Sequence, residues 1–268
     1  MKRRHAMSLL AAAFGCAVAP SAAIAWGSAG HSTAAEIAEG YLGPITRQRI
    51  ADLVGHSSLA SISSWADTYA VTNPKSRPWH YVNVPLDAPA YDATRDCPSS
   101  AFGDCIVGAI AHFRGVLADT RAPRDERITA LKMIVHLVVD LHQPLHCADR
   151  NDAGGSKLTV QFFAGPMSLH NVWDFGILDR FSYDWGLHVE KARAAIGDAD
   201  VRVFRNGTIE DWAMEAHALA KSAAYDLPPD NVLADDYQQR ALPIIHRQLA
   251  IAGVRLAWVL RSALVDGH

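Results

Sequence analysis

Beyond its first 25 residues, the sequence contains no run of about 18 apolar residues, the length that an α-helix needs to cross a bilayer. The same part of the chain has no internal repeat, no low-complexity tract and no linker rich in Pro, Gly or Ser. These absences exclude a membrane-spanning segment after residue 25. They also give no reason to divide residues 26–268, so we expect one domain there.

An excess of positive charge is also missing. The 268 residues include 25 Lys and Arg against 28 Asp and Glu, for a formal net charge of −3. Three of the cations, Lys2, Arg3 and Arg4, precede residue 26 and no acid does, which leaves residues 26–268 with 22 cations against 28 acids. This balance excludes the usual basic nucleic-acid-binding surface. A site for phosphate groups would need its positive charge from another source, such as bound metal.

Cysteine is scarce, with four residues in the whole chain. Cys16 lies in the N-terminal segment, whereas Cys97 and Cys105 flank a short loop that contains Pro, Ser and Gly. In an oxidising compartment we expect these two to form a disulfide. Cys147 then has no partner, and we expect it to be a buried free thiol.

The first 25 residues have the pattern of a secretory signal peptide. Their basic start is followed by an apolar stretch over residues 9–18 and by small residues that end in Ala23-Ile24-Ala25. The sequence therefore predicts cleavage after Ala25. The mature chain would begin at Trp26 and would be secreted, either into a periplasm or out of the cell.

Apolar residues recur at helical spacing over most of residues 26–268, which predicts an all-α fold. The predicted helices cover residues 32–41, 45–54, 57–70, 105–119, 124–141, 174–181, 185–196, 209–226 and 235–265. Residues 157–163 are the exception, because their alternation and β-branched side chains predict one arm of a hairpin that turns at Gly165-Pro166. We expect a mostly helical single domain with one small β-hairpin.

Two pairs of metal-ligating side chains stand at helical spacing. His136 and Asp140, four residues apart in an apolar predicted helix, project from one face and can hold one ion between them. His170 and Asp174 repeat this spacing at the start of another helix. His146 comes just after a proline ends the first helix, so its ring can turn back toward the same cavity. The pattern places five possible ligands close together.

Two further candidates lie upstream, where Asp67 ends a Ser-Trp-Ala-Asp segment and His80 lies in Pro-Trp-His-Tyr. A single histidine on an apolar helix is more often a hydrogen-bonded core residue than a ligand. Two His/Asp pairs change that balance, because burying so many ionisable groups without counter-charge would cost on the order of several kcal/mol each. The pattern therefore favours a site for several metal ions over a set of satisfied core histidines.

Seven short segments, taken in order, resemble the zinc-dependent, single-strand-specific nucleases and 3'-nucleotidases of fungi, plants and bacteria, which share a trinuclear zinc fold with bacterial phospholipase C. They are Trp26 with His31, Ser-Trp-Ala-Asp at 64–67, Trp-His-Tyr at 79–81, His136 with Asp140-Leu-His-Gln-Pro-Leu-His146, Gly-Gly at 154–155, Leu-His-Asn-Val-Trp-Asp at 169–174 and Ala-Gly-Val-Arg-Leu-Ala at 252–257. Each segment alone is weak evidence. Together, and in the family's order, they make a specific match over nearly all of residues 26–268.

The resemblance implies three zinc ions, each held by nitrogen and carboxylate donors. The implied ligands are Asp67, His80, His136 and Asp140 for one ion, His146, His170 and Asp174 for a second, and the Trp26 amine and carbonyl with His31 and a shared Asp140 for the third. The Trp26 amine becomes free only after cleavage behind Ala25. Processing would therefore complete the site.

The resemblance also implies hydrolysis of phosphodiester bonds in single-stranded DNA and RNA, with 5'-phosphate products and with 3'-nucleotidase activity. Asp67 and Asp140 would be catalytic because they hold the zinc ions that activate the attacking water. Tyr81 matches the family's base-stacking aromatic residue, and Asn83 and Ser156 stand where family members often have an Asp and an Asn near the base. Nucleic acid and 3'-nucleotides are thus the implied substrates, with no membrane anchor or protein partner.

The chain departs from the family at Ala70, where an Arg usually contacts the scissile phosphate. Lys75 or Arg77 could reach the phosphate instead, although both are explained equally well as solvated loop cations. Two rival functions stay open at this point. A zinc phospholipase C is one, and Asp174 argues against it because those lipases have Glu there. A non-catalytic zinc-binding protein is the other, since the loss of Arg at position 70 permits it.

Overall fold

The structure is a computed structural model of the chain and describes residues 26–98 and 105–266. The helices are α1 (Ser28–Tyr41), α2 (Pro44–Val54), α3 (Leu59–Ile62), α4 (Trp65–Thr72), α5 (Ala93–Asp96), α6 (Ile106–Ala118), α7 (Arg124–Asp140), α8 (Leu169–Asn171), α9 (Ile177–Phe181), α10 (Trp185–Ala194), α11 (Asp198–Phe204), α12 (Ile209–Leu219) and α13 (Asp235–Leu264). Short 3₁₀ segments cover Pro74–His80 and Pro144–His146, and π-helical turns cover Val172–Gly176 and Ala220–Ala224. The mostly helical fold predicted from the sequence is confirmed.

The central helix is α7, which packs against α6, α13 and α4. Every residue of α7 from Met133 to Asp140 is buried. A helical segment that is apolar all round belongs in the middle of a bundle, and this half of α7 carries His136 and Asp140 into the core with it. The two ionisable residues are therefore buried because the helix around them is.

The first helix, α1, lies along α13 at very short range. A Cβ atom added at Gly253 of α13 would lie 2.6 Å from the Cγ2 atom of Ile37 and 2.8 Å from the carbonyl oxygen of Ala34. Only glycine permits this approach without a shift of backbone. The contact fixes the position of α1, which carries His31 near its N-terminal end.

The small sheet has the strand order β2-β1-β3. The strands are β1 (Thr159–Phe162), β2 (Gly165–Ser168), which pairs antiparallel with β1, and β3 (Val232–Leu233), which runs parallel to β1. The predicted hairpin is present, but its turn lies at residues 163–164 and not at Gly165-Pro166, because Phe163 adopts a positive φ of 48°. Pro166 instead lies in β2, an edge strand, where a missing N–H is tolerated.

The helix predicted over residues 57–70 is divided into α3 and α4 by a turn at Ser63 and Ser64. Ser58 caps α3, as its side chain accepts a hydrogen bond from the Ser61 N–H. The division leaves the Ser63 carbonyl oxygen free to accept a hydrogen bond from His136, 2.6 Å away. Near residue 174 the helical segment begins earlier than predicted, at Leu169. The short helices α5 and α11 and strand β3 were not predicted.

Cys97 and Cys105 form the predicted disulfide, with 5.3 Å between their Cα atoms, and it joins the end of α5 to the start of α6. Cys147 is a buried free thiol. None of the helices in the described ranges combines the length and apolarity that a membrane span requires.

Candidate metal centre

Four elements bring side chains to Asp140 at the end of α7. The Nε2 atom of His136, one turn earlier, lies 3.1 Å from Asp140 Oδ2, and the Nδ1 atom of His80 lies 2.9 Å from the same oxygen. The Nε2 atom of His31, from α1, lies 3.2 Å from Asp140 Oδ1. Asp67, from α4, reaches His136 with 3.5 Å between Oδ1 and Nε2. The structure thus brings together five of the predicted ligands.

A second group lies beside the first. The Nε2 atoms of His146 and His170 lie 3.4 Å and 3.3 Å from the two carboxylate oxygens of Asp174. The two imidazole rings are stacked, with 4.9 Å between their centroids. His146 also connects the groups, since its Nδ1 atom is 3.8 Å from Asp140 Oδ1. The two groups therefore form one continuous centre.

This centre contains three sets of donor atoms, and the atoms of each set lie within 4.8 Å of one another. They are His31, Asp67 and His136; His80, His136 and Asp140; and His146, His170 and Asp174. The grouping differs from the predicted one in that Asp67 lies with His31 as well as with His136. His31 and His136 explain this, because their rings stack with 3.9 Å between centroids and present their nitrogens to the same space.

Buried polar atoms without a hydrogen-bond partner test whether metal ions fit this space. Among the described residues they include Asp67 Oδ1, Asp140 Oδ1, Asp174 Oδ2, His31 Nε2 and His146 Nε2. His31 Nε2 and Asp140 Oδ1 lie 3.2 Å apart, yet neither makes a hydrogen bond. Unpaired polar atoms are rare in protein cores. Lone pairs of imidazole and carboxylate that converge without a proton between them suit a zinc-like cation, so these residues fit bound metal.

Backbone carbonyls orient three of the imidazoles. The Nδ1 atom of His136 lies 2.6 Å from the Ser63 carbonyl oxygen, that of His146 lies 2.8 Å from the His80 carbonyl, and that of His170 lies 2.7 Å from the Gly154 carbonyl. A carbonyl accepts only from a protonated ring nitrogen. Each contact therefore assigns the proton to Nδ1 and turns the Nε2 lone pair toward the centre, as is usual around metal-binding histidines.

Gln143 orients a predicted ligand, and apart from its place between Asp140 and His146 no sequence pattern indicated this role. Its side-chain N–H donates to Asp174 Oδ1 at 2.7 Å, while its side-chain oxygen accepts from the Leu145 N–H. Gln143 is fully buried. The contact links the loop after α7 to the carboxylate of the second group.

The carboxylates and imidazoles of the centre stabilise one another's charged forms. Burial alone would raise the pKa of the Asp140 carboxyl, but His136 and His146 beside it hold that pKa well below its usual range. Burial likewise opposes the charged form of His136, yet Asp140 and Asp67 outweigh burial and raise the pKa of His136 to about 10. Without metal, a proton on His136 supplies the counter-charge. Metal binding at this nitrogen must displace that proton.

His142 shows the contrasting case of a structural histidine. Burial and the neighbouring Arg255 guanidinium lower the pKa of His142 to about 3. Its neutral ring accepts a hydrogen bond from Arg255 at 3.0 Å and lies outside the three sets of donor atoms. The remaining histidines of the described residues also lie outside them: His56, His112, His188, His217 and His246.

The sequence matches a known protein family and several of its members. The family model described as S1/P1 Nuclease matches residues 26–265. The chain belongs to the S1/P1 nuclease family. Its relatives include Nuclease S1 of Aspergillus oryzae, 28% identical over 87% of this chain and 89% of that protein, and Endonuclease 4 of Arabidopsis thaliana, 30% identical over 89% of each chain. Nuclease P1 of Penicillium citrinum is 34% identical over 56% of this chain and 57% of its own.

The predicted substrate-facing residues of this S1/P1 nuclease-family protein are all exposed. Tyr81 and Asn83 are exposed and alternate with the buried Val82 and Val84, so the first two side chains point to the same side. The Val82 N–H donates to the His146 carbonyl at 2.7 Å, which ties this segment to the metal centre. Ser156 is also exposed.

Position 70 is where the resemblance implies an Arg that contacts phosphate, and this chain has Ala there. Ala70 is fully buried in α4 and offers no polar group. Lys75 and Arg77 are exposed on the 3₁₀ segment that leads to His80. Within the described ranges neither forms an ion pair with a carboxylate of the centre. Position 70 thus supplies no positive charge to the centre.

Replacing Gln143 tests how the second group is oriented. Gln143→Met keeps the side-chain volume but removes the hydrogen bond to Asp174, so we expect zinc affinity at His146, His170 and Asp174 to fall by about 10- to 100-fold. Competition with a chelator of known affinity measures this loss. Gln248→Met is the matched control, because Gln248 is also buried but donates to the His142 carbonyl and not to a ligand. Equal zinc affinities in the two variants would contradict the assigned role.

Proposed function

We propose that this protein is an exported, zinc-dependent endonuclease that hydrolyses phosphodiester bonds of single-stranded DNA and RNA to 5'-phosphate products. 3'-Nucleotidase activity would come from the same centre. One observation carries the proposal: in a chain of the S1/P1 nuclease family, five buried imidazoles and three carboxylates converge with unpaired donor atoms. The names of its relatives describe nucleases and endonucleases, which supports the same chemistry.

Three zinc ions would occupy the centre. Asp67, His80, His136 and Asp140 would hold the first, His146, His170 and Asp174 the second, and the Trp26 amine and carbonyl with His31 and Asp140 the third. Bound zinc supplies an activated water and positive charge for the oxygens of the reacting phosphate. The stacked His31 and His136 rings and the shared Asp140 are consistent with two of these ions lying close together.

Individual side chains would position the ligands and the substrate. Asp140 is fully buried and touches imidazoles from three other elements, so it would fix the spacing of the ligands. Asp67 has 29% of its side chain exposed and would lie at the open side of the centre, where the phosphate enters. Tyr81 would stack on an unpaired base, with Asn83 and Ser156 near the base edge. Stacking on an aromatic ring favours unpaired nucleotides over a duplex.

Export would complete the site. The family match begins at Trp26, the residue that signal cleavage behind Ala25 would expose. The Trp26 side chain is fully buried, and the next residue, Gly27, donates its N–H to the Asp174 carbonyl at 2.8 Å. These contacts support an N-terminal amine held beside the metal ligands. The Cys97–Cys105 disulfide is consistent with an oxidising location, periplasmic or extracellular.

Substrate assays of the processed, zinc-loaded protein test the activity. We expect cleavage of single-stranded DNA and RNA, cleavage of duplex DNA that is slower by about tenfold or more because unpairing costs a few kcal/mol, and no hydrolysis of phosphatidylcholine. Chelation should abolish activity and zinc should restore it. Asp140→Asn should lower activity by about 100-fold or more, whereas Asp125→Asn, an exposed acid of the same helix, should retain it. Hydrolysis of phosphatidylcholine with single strands untouched would contradict the proposal.

The N-terminal amine has its own test. A variant with one extra residue between the cleavage point and Trp26 should bind about two zinc ions per chain in place of about three, because the amine is moved away from His31. Elemental analysis after gel filtration measures the ratio, and mass spectrometry checks that the exported wild-type chain begins at Trp26. A variant with one extra residue after His268 is the control. Full zinc content in the N-terminally extended variant would refute the role of the amine.

A further inference from the structure

A cleft of about 360 Å³ lies where the C-terminal end of α1 meets the last turns of α13. It is lined by Tyr41, Ile45, Arg205, Trp258, Arg261 and Val265, among others. Tyr41 is ten residues beyond His31 along α1, about 15 Å at the usual helical rise. The cleft shares no lining residue with the metal centre, so it is a separate feature of the surface.

Arg205 is the most informative residue of the cleft. Its Nε atom is buried without a hydrogen-bond partner. In the part of the chain that the structure describes, its guanidinium makes no hydrogen bond and no ion pair. Leaving such a donor unpaired costs on the order of 1–3 kcal/mol. Arg205 is half-buried, and its buried Nε has no acceptor among the described residues, which points to an anion from outside.

The backbone around Arg205 is fixed from both sides. The Phe204 carbonyl accepts a hydrogen bond from Arg255 Nε at 2.8 Å, and the Asn206 carbonyl accepts one from Trp212 Nε1 at 2.9 Å. Arg255 and Trp212 are themselves buried. Arg205 thus stands on a turn whose backbone is held by the protein's own hydrogen bonds, and preorganisation of this kind lowers the entropy lost on binding.

Aromatic rings complete the cleft. Trp258 packs edge-on against Trp212 with 5.9 Å between ring centroids, and Tyr41 is 38% exposed. Arg261 adds a second guanidinium, whose side chain is 60% exposed and whose Nε lies 3.5 Å from Asp266. Together these rings and guanidinium groups suit a ligand that carries both a flat ring and a phosphate.

We propose that this cleft binds one unpaired nucleotide of the strand that the metal centre cleaves, at a distance of several nucleotides from the scissile bond. Arg205 contacts the backbone phosphate, and the base lies against the exposed ring of Tyr41. The link to cleavage rests on the proposed function. The binding of a nucleotide to the cleft does not rest on the proposed function, because a free 5'-mononucleotide presents the same ring and phosphate.

Titration of the processed, zinc-loaded protein with thymidine 5'-monophosphate tests binding alone. In calorimetry we expect Arg205→Gln and Tyr41→Ala each to weaken one site by about tenfold, the loss typical of one charge-assisted or stacking contact. Arg121→Gln is the control, since it removes the same charge from a side chain that is 90% exposed and outside the cleft. Titrations of Arg205→Gln and Tyr41→Ala that match wild type would overturn the proposal.

Kinetics test the link to cleavage. For a single strand of about 12 nucleotides, Arg205→Gln should raise KM about tenfold with kcat unchanged, whereas KM for a dinucleotide, too short to reach the cleft, should not change. The slope of log affinity against log salt for the long strand should fall by about 0.7, as expected for one lost phosphate contact. An unchanged KM for the long strand would overturn the proposal. Nucleotide binding that depends on Arg205 in a protein without nuclease activity would instead reject the proposed function and uphold the cleft.

Discussion

Asp140 and Asp174 are fully buried carboxylates in the middle of an otherwise apolar bundle, and the rest of the site depends on the counter-charge they require. A buried carboxylate without a partner is among the most costly groups in a protein core. Here each is surrounded by imidazole nitrogens at 2.9–3.8 Å, and two of these, His31 Nε2 and His146 Nε2, make no hydrogen bond. Protons can satisfy part of this requirement, as at His136, but they cannot satisfy all of the converging lone pairs. Metal cations can, and this explains why so many ionisable groups are placed in the core.

The scaffold holds these groups by main-chain contacts. Three ligand rings donate to backbone carbonyls, and one of these carbonyls belongs to Gly154, which has a positive φ of 59°. A Cβ atom there would lie 2.4 Å from the Leu145 carbonyl oxygen, so the loop can pass this close to the 3₁₀ segment of His146 only with glycine. Geometry set by the backbone changes little with surface substitutions. The backbone therefore sets the positions of these ligand rings.

Local periodicity explains which parts of the site could be predicted from the sequence. The pairing of His136 with Asp140 and of His170 with Asp174 follows from helix geometry alone, and the structure places both pairs accordingly. The approach of His31, Asp67 and His80 depends on packing between distant helices, and only the family resemblance indicated it. The roles of Gln143 and of the Ser63 carbonyl could not be predicted from the sequence, because their partners lie 31 and 73 residues away in the chain, respectively. The break between α3 and α4 was missed for the same reason, since it serves that long-range hydrogen bond.

X-ray diffraction at the zinc absorption edge, from crystals of the processed protein, tests the central claim most directly. The account predicts three anomalous peaks, each about 2.0–2.2 Å from its ligand atoms. One peak should lie among His146, His170 and Asp174. The other two should lie on either side of the Asp140 carboxylate, and of these two the peak closer to His31 should also contact the N-terminal amine. Peaks that lie elsewhere, or none within coordination distance of these side chains, would contradict it.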